Sequence, residues 1–185
     1  MRYFIRKYEG INGNHVLLST IQFTSCLFAF LILIYAFLTS NFDFQLVYSN
    51  SHTDKPLLYK LSGTWGNHEG SLLMWILILT TFNFFYSIKS SSDIKLRNKI
   101  IANQSLLILG FVSFCLLMSS PFILMKGNFS QGLGLNPILQ DPLLAIHPPI
   151  LYFGYVGFSL VFSFAIAGML NNQVNKEWAS ALKPW

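Results

Sequence analysis

The chain has 185 residues and a formal net charge of +5, with 53% hydrophobic, 16% aromatic and only 10% charged residues. Soluble domains carry about 25% charged residues, so this composition excludes a soluble globular domain, a disordered tail and a protein that tracks nucleic-acid phosphates. Cys26 and Cys115 lie far apart inside apolar runs, without a CxxC pair, which indicates neither a disulfide framework nor a thiolate metal site. The chain is therefore expected in a bilayer.

Four segments have the length and apolar character of membrane-spanning helices, which need about 20 residues to cross the hydrocarbon core. None carries a charge at its centre, where an ionised side chain is costly. The segments are, approximately, 16–39, 71–88, 100–119 and 150–170. We predict an all-α, polytopic membrane protein that forms a single membrane domain over 1–185. Its first helix is expected to be retained, because the apolar run is too long for a signal peptide and lacks a cleavage site.

The basic residues predict how these helices are oriented. The N-terminal segment, the connection at 89–99 and the C-terminal tail hold nine Lys and Arg residues, whereas the two longer connections hold three. Because basic residues concentrate on the inner side of membranes, both termini are expected in the cytoplasm or the mitochondrial matrix. The loops at about 40–70 and 120–149 then share the outer face. Loops of this length are usually functional, so the function is expected there.

The segment GTWGNHEGSLLMW leads directly into the second predicted helix. Asn67 or Ser71 is suited to cap that helix, and Trp65 and Trp75 are typical of the aromatic belt at a membrane interface. Gly66 and Gly70 in this segment allow a tight turn or the close approach of a flat ligand. None of these structural roles requires an imidazole, so His68 is left as a candidate functional residue.

The segment LGLNPILQDPLLAIHPPILYFGYVGF precedes and begins the fourth predicted helix. Each of its X-Pro steps disfavours helical backbone at the residue before the proline, so we expect a stiff, extended approach to a helix that begins near Ile150. His147 would be fixed by the two prolines beside an apolar helix start. An imidazole with a fixed position, next to an apolar surface that excludes water, is suited to axial ligation of haem iron. The alternative is that the two prolines only mark the start of the helix and that His147 is an ordinary surface residue.

The blocks TWGNHEGSLLMW, LNPILQDP and AIHPPILYFGYVGFS, followed by the closing KPW, resemble the N-terminal part of the CcmF family, the membrane subunit of the system I cytochrome c haem lyase. The similarity covers most of the chain, and the blocks occur in the expected order. The resemblance implies a protein with several transmembrane helices that receives haem from a chaperone on the outer face. It also implies attachment of the haem vinyl groups to the thiols of a CxxCH motif in apocytochrome c.

The resemblance further implies candidate binding residues. In the family, haem is held between two outer-loop histidines that flank a tryptophan-rich WWD segment, and the histidine of the HPP motif, here His147, is taken as the first of the pair and as the metal ligand. Trp65 and His68 belong to a family signature and are further cofactor-binding candidates. No catalytic residue is assignable in this chain alone, because it contains neither the WWD segment nor the second histidine.

Because the WWD segment and the second histidine of the family are missing from this sequence, we expect an N-terminal fragment that is encoded separately in a mitochondrial genome. Its haem would be shared with a companion CcmF fragment that carries the WWD segment. Other expected partners are the haem chaperone, apocytochrome c, further maturation subunits and membrane lipid, but no nucleic acid. The expected location is the mitochondrial inner membrane with both termini in the matrix, the bacterial plasma membrane being the alternative.

Two other functions remain open at this stage. The chain is alternatively a non-catalytic structural subunit that kept the fold of the family after losing its chemistry. A transporter or channel is disfavoured, because the few strongly polar residues in the spans, such as Gln22 and Asn103, lie mostly near their ends.

Overall fold

The computed structural model describes residues 13–89, 94–127, 129–172 and 174–185. In chain order, its helices are α1 (Gly13–Leu38), α2 (Gln45–Asn50), α3 (Leu57–Gly63), α4 (His68–Lys89), α5 (Ile94–Met118), α6 (Pro142–Asn171) and α7 (Lys176–Leu182), with a 3-10 turn at Pro137–Leu139. The helices α1, α4, α5 and α6 are long and apolar enough to cross a membrane. The described residues form no strand. The prediction of an all-α protein with four candidate spans is confirmed, whereas the N-terminal residues 1–12 lie outside the described part.

Each spanning helix begins earlier than the sequence predicted, most clearly α5, which begins at Ile94 rather than near 100, and α6, which begins at Pro142 rather than near 150. The predicted connection at 89–99 is therefore wrong for 94–99, where the basic residues already belong to α5. For α6, the first turn of a helix has no intrahelical N–H bonds to lose, so Pro142 is tolerated there. For α5, the apolar length that crosses a bilayer sets the length of the span and not the end of the helix, which continues into the charged residues.

The helix α4 is the centre of the bundle and packs against α1, α5 and α6. Half of its membrane segment is buried inside the protein, against 28% for α1 and α5 and 33% for α6. Leu79 and Ile76 of α4 form the main hydrophobic core with Leu33 and Phe37 of α1 and Val47 of α2. The remaining helices therefore turn much of their apolar surface outward, as expected for a protein surrounded by lipid or by other membrane chains.

The connections at 39–67 and 119–141 pack against each other at one end of the bundle, which we call the loop end. An antiparallel β-bridge joins Phe44 to Leu124, and Gln45 N–H donates to Ile123 O at 2.9 Å. Further backbone bonds between the two connections are Met125 N–H to Asp43 O, Leu133 N–H to Tyr48 O and Gly134 N–H to Ser51 O. The two long loops thus lie together, as predicted, although the second is shorter than the expected 120–149.

The opposite end, which we call the tail end, is closed by α7 and the final residues. Trp178 Nε1 donates to Phe164 O at 3.0 Å, an approach that Gly168 makes possible because a Cβ there would crowd the indole. The ring of Trp185 meets Tyr86 edge to face, with centroids 5.6 Å apart. The closing KPW block is therefore part of a second hydrophobic cluster that joins α4, α5 and α6.

Buried polar side chains connect the spanning helices to one another. Gln104 of α5 is fully buried; its Nε2 donates to Ser159 Oγ and its Oε1 accepts from Ser163 Oγ, both at 2.8 Å. Asn83 Nδ2 of α4 similarly donates to Gln22 Oε1 of α1 at 3.0 Å. Because lipid offers no hydrogen bonds, polar groups inside a span have to be satisfied by such partners. Gln22, Asn83 and Gln104 therefore act as interhelical links.

Replacing Gln104 with Leu is expected to lower the free energy of unfolding in detergent micelles by about 1–2 kcal/mol, because both interhelical hydrogen bonds are lost while the side-chain volume is nearly kept. Denaturant titration followed by circular dichroism measures the change. Gln45→Leu makes the same replacement at an exposed position of α2 and is expected to change stability much less. Equal effects of the two substitutions would contradict the proposed link.

Candidate functional site

The turn between α3 and α4 is closed by hydrogen bonds among its own residues. Trp65 N–H donates to Ser62 O at 3.2 Å, and Ser71 Oγ donates to Trp65 O at 2.6 Å. A Cβ at Gly70 would overlap the carbonyl oxygen of Thr64, so a residue without a side chain is needed for the turn to close against the helix start. Both backbone polar groups of Trp65 are therefore fixed by their neighbours.

Asn67 caps α4. Its Oδ1 accepts from Gly70 N–H at 2.7 Å, while its Nδ2 donates to Gly63 O at 2.6 Å. Glu69 occupies the first turn, where a negative charge is favourable beside the positive end of the helix dipole. Of the two capping candidates from the sequence, Asn67 is confirmed, and the Ser71 hydroxyl closes the preceding turn instead.

His68, the first residue of α4, is linked to the end of α5. Its Nδ1 lies 2.8 Å from Ser119 Oγ, and Ser119 N–H in turn donates to Cys115 O at 3.2 Å. A ring nitrogen held in this way orients the imidazole and leaves Nε2 for another partner, as is common for histidines that bind metals. The geometry therefore permits the functional role that the sequence left open for His68.

Trp65 and His68 line one cleft between α4 and α6 at the loop end. The cleft has a volume of about 450 Å³, and Trp75, Pro148 and Tyr152 contribute to its walls. Its size lies within the range of small-molecule sites, roughly 300–1,000 Å³. The Trp75 ring also packs against Tyr152, with centroids 5.5 Å apart. The cleft is thus a largely apolar surface with three aromatic rings and a few polar groups.

The start of α6 is built differently from the sequence prediction. Asp141 caps the helix, with Oδ1 accepting from Leu143 N–H at 2.8 Å and Leu144 N–H at 3.1 Å, and Pro142 occupies the first turn. The predicted extended approach to the helix is wrong from Pro142 onward, and His147 lies in the second turn of α6. The cap and a favourable first-turn proline outweigh the local preference of residues before proline for extended backbone.

The two prolines of the HPP motif lie inside α6 and provide no N–H groups to its hydrogen-bond ladder. The missing N–H of Pro149 is the one that would otherwise reach Ala145 O. Trp65 Nε1 donates to this carbonyl instead, at 2.8 Å. The indole of Trp65 thus connects the α3–α4 turn to the helical turn that carries His147.

His147 is exposed on an apolar stripe of α6, which we call the HPP face. Leu143, Leu151 and Phe158 lie on the same stripe, with 78%, 49% and 70% of their surfaces exposed. Gly154 follows His147 by two helical turns, and a Cβ built there would meet nothing within 4 Å. The HPP face is therefore an open, apolar surface with one imidazole near its loop end.

The three candidate haem-binding residues lie in two adjoining parts of the loop end. Trp65 and His68 share the cleft, whereas His147 does not line it. Pro148, the next residue along the helix, does line the cleft. The HPP face and the cleft therefore adjoin each other on α6.

Sequence reasoning missed three features of this region. The Ser119 partner of His68 had no signal in the sequence, because the two are joined only by the packing of α4 against α5. The Ala145 carbonyl could have been identified, since Pro149 stands four residues later and cannot donate to it. The open surface at Gly154 had no signal either, because a glycine in a membrane helix is equally compatible with close helix packing.

Replacing Asp141 with Ala is expected to destabilise the start of α6 by about 1 kcal/mol, because the N–H groups of the first turn lose their acceptor. Amide hydrogen exchange of residues 143–145 measures this, and exchange should become roughly fivefold faster. Asp141→Asn keeps the side-chain oxygen and should stay close to the original protein. Faster exchange in both variants would show that charge, and not the cap, is what matters.

Residues 65–185 match the Cytochrome C assembly protein family. The cytochrome c-type biogenesis protein Ccl1 of Rhodobacter capsulatus is 47% identical over 89% of this chain, and CcmF of Escherichia coli is 41% identical over 91%. A solved structure described as the cytochrome c heme lyase CcmF superposes with a TM-score of 0.77 at 26% identity, over 92% of this chain. The aligned region is 25–26% of the length of each relative. The chain therefore belongs to the cytochrome c assembly protein family and corresponds to about a quarter of its CcmF-type members.

Proposed function

We propose that this chain is the part of a cytochrome c haem lyase that supplies one axial ligand, His147, to the substrate haem. The observation that carries the proposal is an exposed imidazole on an open, apolar helix face at the loop end. The reaction class comes from the relatives, which are named as cytochrome c-type biogenesis proteins, and from the solved structure of a cytochrome c heme lyase.

The HPP face has the properties that a haem requires. Haem is a flat, largely apolar macrocycle whose iron accepts imidazole nitrogen as an axial ligand. His147 supplies that nitrogen, and the exposed Leu151 and Phe158 supply an apolar wall. Gly154 leaves the centre of the stripe without a side chain. These features support the placement of a flat ligand along α6 rather than in one of the solvent-exposed connections.

The second axial ligand is proposed to come from a companion chain. Among the other described histidines, His15 lies in the first turn of α1, His52 pairs with Asp54 in the first connection and His68 lies in the cleft, so none of them shares the HPP face with His147. A companion carrying the WWD segment would dock against this face and complete the site. The large exposed side chains of the face, such as Leu143 and Ile150, support a protein partner there as well as lipid.

The proposed reaction joins haem to apocytochrome c without net oxidation or reduction. The S–H bond of each CxxCH thiol adds across a haem vinyl group, so sulfur bonds to the carbon next to the ring and hydrogen goes to the terminal carbon. In this scheme His147 holds the iron, and the apolar residues of α6 keep water from the bound macrocycle. Trp65 and His68 in the adjoining cleft are proposed to face the edge of the haem or the acceptor segment.

The proposed location is the mitochondrial inner membrane, with the loop end in the intermembrane space. Among the described residues, six basic residues lie at the tail end and three lie in the connections of the loop end, and this asymmetry supports the orientation. Receipt of haem from a chaperone and interaction with further maturation subunits belong to the same proposal. In a bacterial plasma membrane, the loop end would face the periplasm.

His147→Ala in the assembled complex is expected to reduce haem-dependent visible absorbance and the rate of holocytochrome c formation by roughly tenfold or more, because the iron loses an axial ligand. Added imidazole should restore part of the absorbance in this variant by occupying the vacated volume. Absorbance of the purified complex and a haem stain of the acceptor cytochrome measure the two effects.

His52→Ala is the matched control, since it removes an imidazole from the same end of the protein but away from the HPP face. It should leave both readouts close to those of the original complex. Normal haem content and normal holocytochrome c formation in His147→Ala would refute the ligand assignment. A complex that assembles through this chain but never holds haem would favour the structural-subunit alternative.

A further inference from the structure

The Ala145 carbonyl is a buried acceptor that α6 itself leaves without a donor. Ala145 is only 3% exposed, and the residue four positions later is Pro149, which has no N–H. A buried carbonyl without a partner is destabilising because it has lost its hydrogen bond to water. The indole N–H of Trp65 occupies this position at 2.8 Å, so the hydrogen bond that a helix normally makes internally is supplied from another element.

The donor is held rigidly in place. Trp65 N–H is bonded to Ser62 O, and Trp65 O accepts from the Ser71 hydroxyl. The Trp65 side chain also packs against the main hydrophobic core. An indole fixed at its backbone and along its ring has little freedom to move, and therefore the carbonyl it binds is fixed relative to α4.

We propose that Trp65 is a positioning residue for His147. Ala145 and His147 lie two residues apart in the same turn of α6, and this turn lacks two ladder hydrogen bonds because of Pro148 and Pro149. The bond from Trp65 replaces one of them and sets where the turn, and so the imidazole, stands against the bundle. The inference rests on the proposed function of His147 as an iron ligand, and it assigns Trp65 a role that is separate from any contact between its ring and the haem edge.

The sequence offers a direct way to separate this hydrogen bond from aromatic packing. Trp65→Phe keeps an aromatic ring but removes the donor. Pro149→Ala restores a backbone N–H that can donate to Ala145 O within the helix. If Trp65 acts through this carbonyl, Trp65→Phe should have little effect on the start of α6 in a protein that also carries Pro149→Ala. Trp75→Phe is the matched control, because Trp75 lines the same cleft but forms no part of this hydrogen bond.

The first measurement is amide hydrogen exchange of the non-proline residues within 143–151, in the assembled complex without added haem. Trp65→Phe is expected to raise the exchange rates about tenfold. The double variant Trp65→Phe/Pro149→Ala should return to within about threefold of Pro149→Ala alone, and Trp75→Phe should have little effect. Unchanged exchange in Trp65→Phe, absence of rescue by Pro149→Ala, or an equal effect of Trp75→Phe would each overturn the proposal.

The second measurement is titration of the same complexes with hemin, iron(III) protoporphyrin IX, followed by visible absorbance and electron paramagnetic resonance. Trp65→Phe should weaken hemin binding about fivefold to tenfold and alter the axial-ligand signature of the iron, and Pro149→Ala should reverse both changes. Unaltered affinity and spectra, together with faster exchange, would mean that Trp65 supports the helix without positioning the ligand.

The two proposals fail in different ways. Hemin binding that His147→Ala leaves intact would refute the proposed function, whatever happens to Trp65. Loss of hemin binding in His147→Ala, combined with normal spectra in Trp65→Phe, would refute only the positioning role. Should Trp65→Phe fail to assemble, the double variant decides the matter, because assembly of the double variant supports the proposal and its failure overturns it.

Discussion

Backbone hydrogen bonding in an apolar environment is the constraint on which the loop end of this structure depends. A helix that enters a bilayer has to satisfy nearly all of its carbonyl groups internally, yet α6 contains two adjacent prolines in its second turn. The Trp65 indole meets part of this requirement. A single donor from a neighbouring turn therefore links the region before α4 to the histidine-bearing part of α6. This bond explains why two sequence blocks of the chain, GTWGNHEGS and AIHPP, lie together in space.

The same logic explains how α4 serves as the centre of the fold. Its cap, Asn67, and its first residue, His68, are bonded to α3 and to the end of α5, respectively. Deeper in the bundle, Asn83 reaches α1, and aromatic contacts of Trp75 reach α5 and α6. Because lipid provides no hydrophobic drive for helices to associate, these directional contacts determine which helices become neighbours. The result is a cleft at the loop end beside a helix face that remains open.

Much of this arrangement was accessible from the sequence, and the failures have physical causes. The four spans follow from apolar length, and the Asn67 cap follows from side-chain chemistry, because both depend on residues close together in the chain. The start of α6 was placed too late, since the rule for residues before proline is local, whereas Asp141 and Trp65 stabilise the helix from outside the HPP motif. The pairing of His68 with Ser119 depends on tertiary packing alone, and nothing in the sequence indicated it.

The contact between the two long connections has a consequence for how the protein is made. Thr53 and Gln131, whose side chains bond at 2.8 Å, are 78 residues apart, and two complete spanning helices separate them. During synthesis the first connection emerges before the second connection has been translated. The backbone groups of the first connection that bond to the second lack those partners until α4 and α5 have both been inserted. Closing so large a loop costs entropy that only the finished helical pair can offset. Membrane insertion of the third span, which brings the second connection to the same end as the first, is therefore required before the loop end can acquire its final structure.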